Sequence, residues 1–141
     1  MTIDHVGIAV RSLDAAIEHW TRVFGYRQMT NVVVNRRQKV KVVFLTKPGS
    51  LTVKLIEPTD SSSPVYRFAM RGGGLHHLCF KCANVDAQLE RLKELGVRVL
   101  AEPQPGEAFE NEKIAFIFTQ QGLNIELIDT EKRAARVGDK S

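Results

Sequence analysis

Apolar and polar residues alternate in several short runs of the chain, and one run leads into a segment with helical spacing. Residues 3–10 alternate as a half-buried strand does. Apolar residues at helical spacing follow over 13–24, with Ser12 placed as an N-cap and Gly25 as a stop. Three more strands are predicted, near residues 26–34, 38–46 and 51–57.

The same order of elements returns at a constant offset of 72 residues. The segment His5–Val10 aligns with His77–Cys82, and Leu51–Ile56 aligns with Leu123–Ile128. Because one offset aligns separated segments without a gap, we predict that the chain contains two copies of one unit. The second copy is predicted to have strands near 75–82, 97–101, 113–119 and 123–129, and a helix over 84–95.

Each copy has the order strand, helix and three strands. We therefore predict an α+β fold in which two tandem βαβββ modules form a curved eight-stranded cleft with helices outside. The modules would occupy residues 1–57 and 75–130, joined by a linker over 58–74 that holds a short helix. Residues 131–141 are expected to form a polar, frayed tail.

Composition adds limits on the partners. The chain has 141 residues, of which 43% are apolar and 26% charged, an ordinary balance for one globular domain. The sequence lacks a long apolar run and a signal-peptide pattern, so we expect a cytoplasmic protein that does not bind membranes. The net charge is +4, and basic residues cluster at 36–41 without interleaved aromatic residues. Nucleic acid is therefore not an expected partner, whereas an anionic small molecule such as an acyl-CoA suits this basic rim.

Four polar residues occupy matching positions in the two copies. His5 aligns with His77, and Lys54 aligns with Glu126. Strand alternation places all four on the concave face. A single histidine on a half-exposed sheet is usually only a satisfied polar residue, but here the same ligand type recurs at equivalent positions. Two imidazoles and one carboxylate suit a divalent metal such as Zn, Ni, Co, Mn or Fe(II). His76 is predicted to point to the opposite face, unless a bulge interrupts the strand.

With these motifs the chain resembles the vicinal oxygen chelate superfamily, which includes glyoxalase I, extradiol dioxygenases, bleomycin-resistance proteins and methylmalonyl-CoA epimerase. The resemblance covers nearly the whole chain and begins with the Asp4–Val10 opening. The segments Gly74–Cys79 and Asn124–Ile128 look most like the epimerase branch. The resemblance implies paired βαβββ modules, metal ligands at the two aligned histidines and Glu126, and a homodimer.

Lys54 departs from that pattern, since epimerases and glyoxalases usually carry Gln, Glu or His at its position. An ammonium group has no lone pair to offer a metal. Three outcomes stay open. The metal keeps three protein ligands, with Lys54 beside it as an acid or an anion clamp; or Lys54 pairs with Glu126 in place of the metal; or Glu57 swings in, although alternation points it away. Val42 occupies the inward position where an epimerase could carry a catalytic glutamate.

The sequence thus predicts a metal-dependent isomerase or lyase of the glyoxalase or methylmalonyl-CoA epimerase type. Such an enzyme would stabilise the enolate of a small acyl thioester or α-oxo substrate. Glu126 is the first candidate for the catalytic base and Lys54 the second. Two alternatives stay open: a non-catalytic drug- or metabolite-binding protein of the bleomycin-resistance type, and an Fe(II) dioxygenase that uses His5, His77 and Glu126.

Overall fold

A computed structural model describes residues 1–138 of the chain. The elements are β1 (Thr2–Ala9), α1 (Leu13–Phe24), β2 (Arg27–Gln28), β3 (Val33–Asn35), β4 (Val40–Thr46), β5 (Thr52–Pro58), α2 (Tyr66–Met70), β6 (Gly74–Lys81), α3 (Val85–Glu94), β7 (Arg98–Gly106), a 3₁₀ turn (Glu107–Phe109), β8 (Glu112–Phe118) and β9 (Asn124–Ile128). Within residues 1–138, no helix has the length and apolar character needed to span a membrane.

One mixed sheet contains all the strands, in the order β2-β4-β5-β1-β6-β9-β8-β7, with β3 beside β4. The two copies meet where β1 pairs antiparallel with β6. In each copy the first strand runs parallel to the last, and the register repeats: His5 lies opposite Thr52, and His77 lies opposite Asn124. This repeated register confirms the duplication, and the α+β class predicted from the sequence is confirmed.

Both long helices begin and pack as their sequence patterns predict. The Ser12 hydroxyl accepts a hydrogen bond from the amide of Ala15 at 3.2 Å, and Gly25 ends α1 in the left-handed region at φ 74°. Val6 and Ile8 on β1 pack in one apolar cluster with the inner face of α1. In the second copy, Ile125 and Leu127 of β9 pack with the buried residues of α3. The side chains between them on the strands are therefore left to the concave face.

That concave face is itself largely filled. Phe44, Ile56, Phe109 and Ile114 form a buried cluster there, joined by Val65 from the segment before α2. Phe109 comes from the 3₁₀ turn after β7 and is 1% exposed. The cleft expected between the two modules is thus reduced to smaller cavities around the polar residues.

Two strands at the edges of the sheet have other bounds than those predicted. The predicted strand near 26–34 is split into β2 and β3, giving nine strands within residues 1–138 instead of eight. The amides of Met29 and Thr30 both donate to the carbonyl of Phe44 on β4, which interrupts the regular ladder, and the amide of Asn31 donates to the carbonyl of Ala135. The strand predicted near 97–101 is longer and continues to Gly106 as β7.

The tail is also ordered where a frayed segment was expected. The amide of Ala134 donates to the carbonyl of Ala108, and the amide of Val137 donates to Met29. Arg133 is only 7% exposed. These backbone hydrogen bonds and the buried guanidinium hold residues 131–138 against the 3₁₀ turn and the segment that follows β2. Residues 139–141 of the predicted tail lie outside the described residues.

Candidate active site

Four neighbouring strands in the middle of the sheet bring the four predicted site residues together. His5 comes from β1, Lys54 from β5, His77 from β6 and Glu126 from β9. All four are buried, and Lys54 is the most exposed of them at 6%. Their pairing follows from the duplication, because parallel strands of the same register project equivalent side chains to the same place.

Glu126 lies at the centre of this cluster. Its Oε1 atom is 3.1 Å from His5 Nε2 and 3.2 Å from His77 Nε2. The Lys54 ammonium donates to both carboxylate oxygens, at 3.3 Å and 3.5 Å. Burial alone would raise the pKa of Glu126, but the Lys54 charge and the contacts with the two imidazoles hold the pKa well below its usual range. The carboxylate is therefore a stable anion and a weak base.

Beyond this centre, His5 is held from its other side by a carboxylate that sequence reasoning missed. His5 Nδ1 donates to Asp4 Oδ2 at 2.8 Å. Arg133 donates to the same oxygen at 2.5 Å, and its guanidinium lies 4.7 Å from the centroid of Phe109. The Arg133 Nε atom has no hydrogen-bond partner among the described residues. Asp4 precedes His5 in the sequence and could have been considered, whereas nothing in the sequence indicated that Arg133 returns to the site.

Two bulges explain why adjacent residues meet on the concave face. The β1–β6 register shifts by one residue between Ile3 and His5, and again opposite Gly7 and Ile8. The extra residues are Asp4 on β1 and His76 on β6, which are equivalent in the repeat. The prediction that His76 points to the opposite face was therefore wrong, because the bulge turns it inward. Its Nδ1 lies 2.9 Å from Nδ1 of His77, as the Asp4 carboxylate lies beside His5.

Both histidines of β6 favour the neutral state. Burial lowers the pKa of His77 to about 4, although Glu126 opposes the shift. Burial and the Lys54 charge also lower the pKa of His76. His77 Nε2 is near Glu126 in distance, yet it makes no properly oriented hydrogen bond with any described residue. The ring packs over Gly7, where an added Cβ would lie 2.2 Å from His77 Cε1, so this position needs a glycine.

Two adjoining cavities lead to the cluster. The inner cavity has a volume of about 30 Å³ and is lined by Lys54, His76, His77 and Glu126 together with apolar side chains. The outer groove, of about 270 Å³, shares His76 and Gln38 with the inner cavity. A small group could enter the inner cavity only with some adjustment of its walls, since its volume is close to that of one water molecule.

His5, His77 and Glu126 form a group that could hold a metal ion, because their ligand atoms lie within 4.8 Å of one another. Asp4, His5 and Cys79 form a second such group, but burial raises the pKa of the Cys79 thiol and so disfavours the thiolate ligand. The unpartnered Nε2 atom of His77 also suits a metal ligand.

Lys54 opposes that interpretation. The two buried cations, Lys54 and Arg133, already match the carboxylates of Glu126 and Asp4 one to one. The Lys54 ammonium lies 3.3 Å from the Glu126 carboxylate, so a divalent ion held by the same carboxylate would be repelled by a neighbouring buried positive charge. The complete set of residues therefore does not fit a divalent ion while Lys54 is charged.

The paired modules and the central His, His and Glu positions define a vicinal oxygen chelate fold. Residues 4–116 match the family described as the Glyoxalase/Bleomycin resistance protein/Dioxygenase superfamily. The chain belongs to this superfamily.

Similar proteins include an uncharacterized protein and an epimerase. The chain is 35% identical to an uncharacterized protein, YqjC, of Bacillus subtilis, over 90% of this chain and 91% of that protein. It is 34% identical to the ethylmalonyl-CoA/methylmalonyl-CoA epimerase of Cereibacter sphaeroides, over 73% of this chain and 77% of that enzyme.

Solved structures agree with this placement. Methylmalonyl-CoA epimerase from Mycobacterium tuberculosis superposes with a TM-score of 0.81 at 35% identity, covering 91% of this chain and 87% of that one. A variant of the Streptomyces coelicolor methylmalonyl-CoA epimerase in complex with 2-nitronate-propionyl-CoA gives a TM-score of 0.80 at 34% identity, covering 93% and 98%. These relatives support an isomerase of the epimerase type.

Proposed function

We propose that this protein is an epimerase that inverts the carbon next to the thioester of a small α-substituted acyl-CoA. The observation that carries the proposal is the buried group of Lys54, His76, His77 and Glu126 at the inner end of a cavity in an epimerase-like fold. Removing the α-proton places negative charge on the thioester oxygen, so catalysis needs a positive group at that oxygen and a base at the carbon.

Lys54 is suited to the first task. Its ammonium lines the inner cavity, and among the described residues it donates only to Glu126. A lysine has three N–H donors, so donor capacity remains for an oxygen of the ligand. Phe44 and Phe109 flank the ammonium, at 5.8 Å and 5.3 Å from their ring centroids. In these dry surroundings a fixed positive charge stabilises an enolate oxygen more than it would in water.

His76 is suited to the second task. Its ring lines both the inner cavity and the outer groove, so it lies on the path that a ligand would follow. Its lowered pKa keeps the imidazole neutral and able to accept a proton at neutral pH. Glu126 was the first candidate for the base, but both of its carboxylate oxygens already accept hydrogen bonds from Lys54, and its pKa is held well below its usual range. We therefore assign Glu126 to holding Lys54 in place, and His76 to removing the α-proton. A proton from solvent then reaches the opposite face of the enolate, and His76 gives up its proton to solvent.

The basic turn between β3 and β4 suits the anionic part of such a ligand. Gln38 of this turn lines both cavities, and Arg36, Arg37 and Lys39 flank it in the chain. Arg36 has 85% of its side chain exposed, and its guanidinium lies 3.8 Å from the Glu107 carboxylate. A phosphate-bearing ligand would be attracted to this end of the groove.

Exchange of the α-hydrogen tests the proposal directly. The protein is incubated with methylmalonyl-CoA in D₂O, and deuterium at the α-carbon is followed by mass spectrometry. We expect exchange by the wild-type protein and a loss of roughly 10²- to 10⁴-fold in His76→Gln. The matched control is His19→Gln, which alters an exposed histidine on α1 and should leave the rate unchanged.

A non-catalytic binding protein is the second candidate, favoured by the Lys54–Glu126 ion pair and by apolar Val42 at the inward position of β4. Acyl-CoA binding by calorimetry without any exchange would favour this alternative and refute the epimerase. Oxygen consumption with a bound ferrous ion would instead favour a dioxygenase.

A further inference from the structure

We propose that the Lys54 ammonium is the resident cation of this cleft and takes the place of a divalent metal ion. The inference deepens the proposed function, on which it rests for the chemistry that the cation performs. The positive charge that faces the ligand then comes from the single side chain of Lys54.

The position of Lys54 in the duplicated fold is the first argument. Lys54 is the equivalent of Glu126 in the other copy, and the two strands that carry them lie on either side of the central pair β1 and β6. Both side chains therefore reach the same centre from opposite sides. Glu126 supplies a carboxylate anion, and Lys54 supplies the cation that pairs with it as a side chain of the protein itself.

The surroundings of the ammonium are the second argument. Its side chain is only 7% exposed, and it contacts the carboxylate at 3.3 Å. The two aromatic rings of Phe44 and Phe109 face it within 6 Å, as rings around a bound cation do. The carboxylate of Glu126 and the two rings thus surround a positive charge that belongs to the protein itself.

The charges around the cluster are the third argument. Arg133 already matches Asp4, and Lys54 already matches Glu126, so a divalent ion would add two positive charges without a counterion. Buried charges without partners are strongly disfavoured. The Nε2 atom of His77, which could bind a metal, is left without a hydrogen-bond partner among the described residues beside this ion pair.

Exchanging the lysine for a neutral oxygen donor tests the inference. In Lys54→Gln, the amide oxygen faces the same centre without a positive charge, beside His5, His77 and Glu126. We expect the wild-type protein to purify without stoichiometric metal and to bind Co²⁺ weakly. Lys54→Gln should bind one Co²⁺ per chain, at least about 100-fold more tightly, as followed by elemental analysis and by the visible absorption of Co²⁺.

Three further variants keep the test specific. Adding His77→Ala to Lys54→Gln should abolish the gained Co²⁺ site. Lys54→Met removes the charge without supplying an oxygen and should gain less affinity than Lys54→Gln. Lys113→Gln removes an exposed lysine of an ion pair on β8 and should leave Co²⁺ binding unchanged. Circular dichroism checks that each variant is folded.

The wild-type protein decides the matter even if Lys54→Gln does not fold. Stoichiometric metal in the wild-type protein that is lost on His77→Ala would overturn the inference. Deuterium exchange by the wild-type protein that stops after chelator treatment would also overturn it, while the proposed epimerase would stand. Metal-free wild-type protein that gains a site through Lys54→Gln, but shows no exchange, would keep the inference and remove the proposed function.

Discussion

The ion pair between Lys54 and Glu126 should contribute strongly to stability, and its loss can be measured. The Nζ and Oε2 atoms are 3.3 Å apart, and the carboxylate is fully buried. At an effective dielectric constant of about 20, this contact is worth about 5 kcal/mol of attraction. Glu126→Gln removes the anion and leaves the ammonium buried between two aromatic rings. Breaking a buried pair in this way costs about 3–5 kcal/mol.

Urea unfolding followed by circular dichroism gives the free energy of unfolding. With a slope of about 2 kcal/mol per molar urea, Glu126→Gln should lower the midpoint by roughly 1.5–2.5 M. The double variant Lys54→Met with Glu126→Gln should be more stable than the sum of the single changes, by about 2 kcal/mol or more, because neither charge is left alone.

An exposed pair gives the matched control. Lys113 and Asp86 are 2.6 Å apart, but more than half of each side chain is exposed. Their coupling energy in the same double-variant cycle should be below about 1 kcal/mol. A coupling between Lys54 and Glu126 no larger than that of this exposed pair would refute the assigned electrostatics.

Two further predictions concern His77. Its pKa is about 4 in the folded protein, against an ordinary value of 6.5, so the unfolded chain binds this proton at a higher pH than the folded protein does. Above pH 6.5 the free energy of unfolding should not change through this group. Between pH 6.5 and pH 4 the free energy of unfolding should fall by about 3 kcal/mol. Urea titrations at several pH values measure this slope, and a slope that is the same in His77→Gln would contradict the assignment. Gly7→Ala should cost about 1–3 kcal/mol of stability, since its Cβ would meet the His77 ring at 2.2 Å. That cost should shrink when His77→Ala is also present, and an unchanged cost in thermal or urea denaturation would show that the contact is not its cause.

The duplicated fold could be predicted from the sequence because a repeat at one offset constrains every strand at once. The alignment of His5 with His77, and of Lys54 with Glu126, placed four side chains on one face before any geometry was known. Strand alternation correctly predicted the face on which Lys54 and Glu126 lie, because the strands that carry them pair in a regular register.

Two features of the site could not be predicted from the sequence. One depends on irregular strand pairing, and the other on contact between the C-terminal segment and the first strand. A bulge is set by the pairing of two strands, so the inward side chains of Asp4 and His76 leave no local pattern. Arg133 belongs to a polar segment whose composition predicts a frayed tail, yet it contacts the partly buried carboxylate of Asp4 and the rings of Phe44 and Phe109. The sequence indicated which four polar residues share the concave face, but not that this face would be filled by Phe44 and Phe109.

The central cluster has a consequence for how the protein folds. His5 and Glu126 are 121 residues apart in the chain, and Lys54 and Glu126 are 72 apart. Neither module contains both members of the ion pair, so the ammonium and the carboxylate stay hydrated until β1 and β6 dock. Contacts with such long separations form slowly, since a long loop must close first. We therefore expect variants at Lys54 and Glu126 to speed unfolding while leaving the folding rate nearly unchanged. The residues that form the centre of the site would then be among the last to reach their native environment.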